Sequence, residues 1–163
     1  MDTANQDSTG ASHDPFEDKA TVVAQITQIV HDWIVGVNNR DLDYKSPVWS
    51  NISPDFRTDQ PLLSVPAGTT KLDFRGILES LRYLIDENPD YHVRISGLDV
   101  SLHRPCNRVI AWVNQVISGH PKGVIRYMTG VMTFTFRDGG WQMIHYEAPI
   151  GMSGTPGYDM IFE

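Results

Sequence analysis

The hydrophobic period of this chain changes once, at Asn88-Pro89, and that change constrains the fold more than any other feature. Before it, apolar residues return every three or four positions, the spacing of one helical face. After it they alternate, the spacing of a half-buried strand. Helices first and strands last predict an α+β fold, with N-terminal helices packed on a curved antiparallel β-sheet, and not a doubly wound sheet.

Val22, Ile26, Ile29, Val30, Trp33 and Val37 form the first helical stripe, which Asn38-Asn39 ends. A short second helix is expected between Asp41 and Trp49, with Pro47 near its start. Pro54, Pro61, Pro66 and Gly68 punctuate the stretch from Ser53 to Thr70, which reads as a loop or short hairpin. Phe74, Ile77, Leu78, Leu81, Leu84 and Ile85 mark the strongest helix, with Thr70 or Asp73 as cap and Asn88-Pro89 as stop. Residues 1–15 are polar and almost free of aliphatics, so they read as a flexible tail ahead of a single domain at 16–163.

Four β segments are expected at 92–103, 107–118, 124–137 and 141–149, joined by antiparallel turns too short for crossover helices. In the third, Met128, Gly130, Met132, Phe134 and Phe136 alternate with a threonine-rich set, and the Met/Phe set should face the helices. A register set by Gly119–Gly123 places Asn114 opposite Met128, Trp112 opposite Gly130 and Ile110 opposite Met132. Trp112 and Asn114 are then expected on the helix-facing surface, the indole over the missing glycine side chain. The last strand has two readings. A two-residue turn at Asp138-Gly139-Gly140 points Met143, His145 and Glu147 inward, whereas a glycine bulge points Gln142, Ile144, Tyr146 and Ala148 inward.

Thirteen Lys plus Arg against twenty Asp plus Glu give a net charge of −7, more than half of it from Asp2, Asp7, Asp14, Glu17 and Asp18 against Lys19. No basic stripe supplies the footprint that nucleic acid or an anionic membrane needs, so neither partner is expected. One cysteine, Cys106, makes no internal disulfide, and His92, His103 and His120 show no ligand spacing with Cys or carboxylates, so no metal is expected. No signal peptide is read at the N-terminus and no apolar run of membrane-span length, which points to a reducing, cytoplasmic setting.

The long first helix, "ISPDF" at 52–56, "NPDYHV" at 88–93 and "RDGGWQMIHYEAP" at 137–149 resemble the nuclear-transport-factor-2-like superfamily, in its SnoaL-like and scytalone-dehydratase-like branch. The C-terminal "GYDMIFE" looks like the tail that scytalone dehydratase folds over its pocket. The resemblance implies a cone-shaped α+β barrel enclosing a pocket between sheet and helices. It implies a lyase, isomerase or cyclase that needs no cofactor, acting by acid/base chemistry on a hydrophobic small molecule of secondary-metabolite type. Other members only bind lipophilic ligands or act as dimeric interaction modules, and a homodimer through the outer sheet face is the implied assembly. Met128 and Gly130 stand where scytalone dehydratase has a Ser and an Asn, and Val37 stands near its first Tyr, so that particular activity is not expected.

Chemistry of this kind needs a base poised near neutral pH and a donor aimed at a developing oxyanion. His145 with Glu147 as its orienting partner suits the first role under one parity of the last strand, and Tyr146 suits the second under the other. Asn114 is an amide that meets either a ligand carbonyl or backbone. Trp112, Met128, Met132, Trp49 and Phe56 are candidate ligand-contacting walls, the last two equally well core. His120 sits in a turn, where it either contacts a ligand or is solvated, and Arg126, on the face with Met128, either holds a carboxylate or enolate or reaches out to solvent. His31 and Asp32 lie beside the apolar stripe at Val30 and Trp33, so either one of them flanks the cavity or, the preferred reading, both form a solvated helix side.

Overall fold

A computed structural model describes residues 14–16, 18–58 and 72–147. Asp18 caps helix α1 (Lys19–Asn38) by accepting from the Ala20 backbone N–H, and the expected stripe from Val22 to Val37 is buried, joined by Ile34. Pro47 opens a single 3-10 turn at Pro47–Trp49, the position where its missing N–H costs nothing. Asp73 caps helix α2 (Phe74–Glu87), whose buried residues are the six expected apolar ones and Ser80, and Asn88 ends it.

Strands β1 (Ile52–Arg57), β2 (His92–His103), β3 (Arg108–Ser118), β4 (Ile125–Arg137) and β5 (Gly140–Glu147) form one sheet in the order β1-β5-β4-β3-β2. The fold is thus α+β, two helices on one face of a curved sheet, as expected. The sheet is mixed, however, because β1 runs parallel to β5, pairing Ile52 with Met143 and Arg57 with His145. The start of the stretch read as a loop is therefore an edge strand. Pro54 hid it, since a residue without an N–H is tolerated at a sheet edge, and Ser53 and Phe56 point into the core at 2% and 0% exposure. The rest of that stretch, 59–71, lies outside the described residues apart from the bridge between Thr58 and Leu72 that closes it.

The meander from β2 to β5 holds, but its central register differs by one residue from the expected one. Residues 119–124 all belong to the turn, so Ser118 pairs with Ile125, and Trp112, Asn114 and Ile110 sit opposite Val131, Thr129 and Thr133. A one-residue slip moves a strand's whole side-chain set to the other face. Val109, Ala111, Val113 and Gln115 of β3 consequently face the helices, together with Met128, Gly130, Met132 and Phe134 of β4, while Trp112 and Asn114 lie on the outer face.

Strand β5 follows neither reading along its whole length. Asp138 and Gly139, both with positive φ, make a two-residue turn between Arg137 and Gly140. The bulge lies further on: Phe134 pairs with Met143 but Thr133 with His145, so Ile144 is the extra residue. Met143 before the bulge and Tyr146 after it both point inward, at 0% and 7% exposure. His145 and Glu147 point out, opposite Thr133 and Val131. A second bulge in β2, between Ile95 and Gly97, helps to curve the sheet.

Helix α1 is, by length and a mean hydropathy of 1.2, long and apolar enough to cross a membrane, contrary to the sequence expectation; its apolar stripe is buried against the sheet here. At the border of the expected tail Phe16 is buried edge-to-face on Trp141 at 5.2 Å, and Arg104 reaches both the Phe16 carbonyl and the carboxylate of the exposed Asp14. Residues 1–13 and the C-terminal "GYDMIFE" lie outside the described residues.

Candidate functional site

The helix-facing side of the sheet is apolar over most of its area and polar at one end, where β2 begins, β3 ends, β4 begins and β5 ends. Tyr91, Gln115, His120, Arg126 and Tyr146 gather there.

Three local devices build this cluster. At the C-terminus of α1, the Asn38 side chain donates to the Val93 carbonyl at 2.7 Å and accepts from the Val93 N–H at 2.9 Å, while Arg40 Nη2 donates to the carbonyls of Tyr91 at 2.7 Å and Pro89 at 3.0 Å. These bonds hold the entry to β2 and with it Tyr91. Gly119, at φ 79, lets the β3–β4 turn lie against that same entry: a Cβ there would overlap the Asp90 carbonyl and stand 2.7 Å from the Tyr91 nitrogen. The turn thereby sets the His120 ring, preceding a cis Pro121, edge-on to Tyr91 at 6.5 Å. At Gly130 the absent side chain makes room for Tyr146 and Gln115, which close over it from β5 and β3.

Burial determines the protonation behaviour. It pushes the Tyr146 phenol up to about 12, partly opposed by the Gln115 amide beside its hydroxyl. The amide acts on the Tyr146 hydroxyl at hydrogen-bond range, but the contact falls short of good geometry, and its Nε2 is buried without a well-formed hydrogen bond. Tyr91 is raised as well, by burial first and then by the neighbouring Tyr146, with Arg40 opposing. His120 is lowered from 6.5, by burial first and by the Arg126 charge second, and its Nδ1 is buried without a partner. At neutral pH the cluster thus combines a neutral imidazole, two protonated phenols, an amide donor without a well-formed hydrogen bond and a guanidinium. Beside it, Trp33 packs on Tyr146 at 5.9 Å and on Phe56, Phe74 and Trp49, an aromatic wall from both helices and β1.

Of the residues singled out in the sequence, Tyr146, His120, Arg126 and Met128 come together here, Arg126 and Met128 half-buried on the helix-facing side. Met132, Trp49 and Phe56 lie in the core beneath, Trp49 donating Nε1 to the Asp41 carbonyl at 3.0 Å. His145 and Glu147 do make a pair, 3.6 Å apart, but on the outer face. Asn114, also on that face, accepts from Thr129 Oγ1 at 2.7 Å, and Trp112 is 38% exposed. His31 is exposed, and Asp32 accepts from Gln28 at 2.8 Å, as expected for a solvated helix side. Tyr91 and Gln115 were missed. Tyr91 sits in the "NPDYHV" segment just ahead of β2, and Gln115 emerges only with the correct β3–β4 register.

A separate groove of about 420 Å³ lies between the 42–44 segment and α2, lined by charged residues that already engage one another's surroundings: Arg75 stacks on Tyr44 at 5.0 Å and Arg82 donates to the Leu42 carbonyl at 3.0 Å. Among the described residues no three His, Cys, Asp or Glu side chains gather as a metal site.

No protein-family model and no curated protein matches the sequence. Solved structures do match, and they give the architecture its class: this is the NTF2-like, cystatin-like fold. The hexachlorocyclohexane dehydrochlorinase LinA-type3 from Novosphingobium barchaimii LL02 superposes with a TM-score of 0.62 at 14% identity, over 85% of this chain and 97% of that one. A candidate dehydratase of the NTF2-like family from Streptomyces avermitilis gives 0.58 at 14% identity, over 79% and 96%. Bd1075 from Bdellovibrio bacteriovorus gives 0.57 at 11% identity over 77% of this chain, which spans 40% of the length of Bd1075. At these identities the likeness is one of fold.

Proposed function

We propose that the protein is a small-molecule enzyme of the lyase or isomerase type, working by acid/base chemistry without a cofactor on a hydrophobic carbonyl- or hydroxyl-bearing compound. The observation that carries this reading is the convergence of two buried, unpartnered polar atoms, Gln115 Nε2 and His120 Nδ1, with the Tyr146 phenol at one end of an apolar surface. Ligand sites have this composition, a greasy wall with few convergent polar groups. Neutral His120 is the base: it takes a proton from the carbon beside a carbonyl, and the C–H pair becomes the enolate. Tyr146 and Gln115 donate to the enolate oxygen. The pair then expels a neighbouring hydroxide, which receives the proton from His120 and leaves as water, or the proton returns at another carbon and the product is an isomer. That fold neighbours include a dehydrochlorinase and a candidate dehydratase supports this class of reaction.

A panel of β-hydroxy and β,γ-unsaturated carbonyl compounds, followed by mass and ultraviolet absorbance, tests it. Turnover that falls about 100-fold or more in His120→Ala and in Tyr146→Phe is expected. Ligand-induced thermal stabilisation without turnover would favour the alternative of a binding protein for lipophilic molecules.

The outer face is proposed to pair with a second copy of the chain. Trp112, Ile125 and Tyr127 stand 38%, 62% and 64% exposed on it, large apolar side chains that a second copy would cover.

A further inference from the structure

Arg126 is the one charged side chain that the described strands present to the helices. Its cross-strand partner is Ile117, which in turn pairs with Val93, and both of its inner neighbours along the register are apolar or amide: Met128 on its own strand and Gln115 diagonally across. No Asp or Glu of β2 to β5 lies on that face. Asp99 pairs with Trp112 and Glu147 with Val131, both on the outer side. The nearest acid in the adjoining turn, Asp90, is exposed and faces Lys122 at 3.5 Å.

Among the described residues the Arg126 side chain therefore has no counter-ion and makes no hydrogen bond or ion pair. Arg94 and Arg108 lack such bonds too, but both are exposed to water, whereas Arg126 is half-buried. A partly desolvated guanidinium without an anion forgoes the strong charge-assisted bonds that it is built to make. Diagonal neighbours on a sheet are roughly 7–8 Å apart, so the unpartnered Gln115 amide, 95% buried by its 5% exposure, lies within the span of one small organic molecule from it.

We propose that this site takes an organic anion: an aromatic or aliphatic carboxylate whose charged group pairs with Arg126 and whose second oxygen function receives the Gln115 Nε2 hydrogen. This rests on the reading of the Tyr91 to Tyr146 cluster as the ligand site, and adds to it the charge of the ligand. The carboxylate fixes the molecule's orientation, with its apolar body toward Trp33 and its reacting carbon toward His120.

The test is a binding titration of the full chain with cinnamate, 3-phenylpropanoate and 2-naphthoate, each beside its primary amide and its methyl ester, followed through the side-chain amide signals of Gln115. Each acid is expected to bind about tenfold or more tighter than its neutral forms. Arg126→Gln should bring the acids down to the level of the amides and leave the neutral forms unchanged, and Arg94→Gln should change nothing. The preference should also shrink as sodium chloride rises from about 0.01 M to 0.5 M, a readout that needs no variant. Equal binding of acid and amide overturns the proposal while leaving the ligand site on which it rests in place. An acid preference that survives Arg126→Gln, with the variant folded, also overturns it. Binding of none of the three forms at millimolar concentration overturns both the proposal and the site on which it rests.

Discussion

Gln115 and Tyr146 meet over Gly130, where a Cβ would stand 2.9 Å from Gln115 Nε2 and 2.8 Å from the Tyr146 ring. The contact joins β3 to β5 across β4 and sets the floor of the proposed site. Gly130→Ala should therefore force both side chains apart, at a cost of about 1–3 kcal/mol in urea unfolding. It should also abolish ligand binding. A variant with wild-type stability and wild-type binding would show that the two side chains do not share that space.

His120 has its pKa lowered by burial and by Arg126, so its folded value lies below the unfolded value of 6.5. The stability linked to it is present above 6.5 and is lost as pH falls through the folded value. Turnover that depends on the neutral imidazole should follow the same direction, level at and above neutral pH and falling on the acid side. The profile should lose that acid limb in His120→Ala; a limb that persists belongs to another group.

Tyr146 has the opposite sign. Its folded pKa is raised from 10.0 to about 12, so the stability it contributes is full below pH 10 and is lost as pH rises toward 12. Tyr91 adds to the loss in the same direction. Urea unfolding at several alkaline pH values should show a shallower decline for Tyr146→Phe than for the wild type. Equal slopes would mean that the phenol ionises as freely in the folded chain as in the unfolded one.

Asn38 ties α1 to β2 by two hydrogen bonds with Val93, of 2.7 and 2.9 Å. Asn38→Ala leaves both backbone groups of Val93 without these partners and should cost about 2–6 kcal/mol, from 1–3 for each orphaned group. Because the same corner holds Tyr91, ligand affinity should fall as well. A loss below about 0.5 kcal/mol in thermal or urea unfolding would mean that water replaces the amide at no cost.

The outer face makes its own prediction. Light scattering should give a dimer mass for the wild type and a monomer mass for Trp112→Lys combined with Tyr127→Lys, with the fold retained. A wild type that stays monomeric at millimolar concentration leaves these side chains without the partner proposed for them.

Much of this architecture could be read from the period change at Asn88-Pro89: both helices, the caps Asp73 and Asn88, and four of the five strands. Strand β1 was hidden because a six-residue edge strand containing Pro54 carries the same local signals as a loop. The site was legible only in part, for a reason that lies in counting. One residue more in the β3–β4 turn exchanges Trp112 and Asn114 for Val113 and Gln115, and one bulged residue, Ile144, lets Met143 and Tyr146 both face inward. Neither a turn's length in space nor a bulge inside a strand leaves a mark in hydrophobic alternation. His120, Arg126, Met128 and Tyr146 were accessible to sequence reasoning because they sit where no such shift intervenes or where one of two stated parities applied.

The central claim is that ligands enter at the Tyr91, Gln115, His120 and Tyr146 end of the sheet. Two-dimensional NMR of the labelled protein during titration with the aryl carboxylates and their amides tests it most directly. The predicted result is a shift of the Gln115 side-chain amide together with the His120 and Tyr146 ring signals. Shifts confined to the outer face around Trp112, Asn114 and His145, or to the groove between Tyr44 and Arg82, would contradict it.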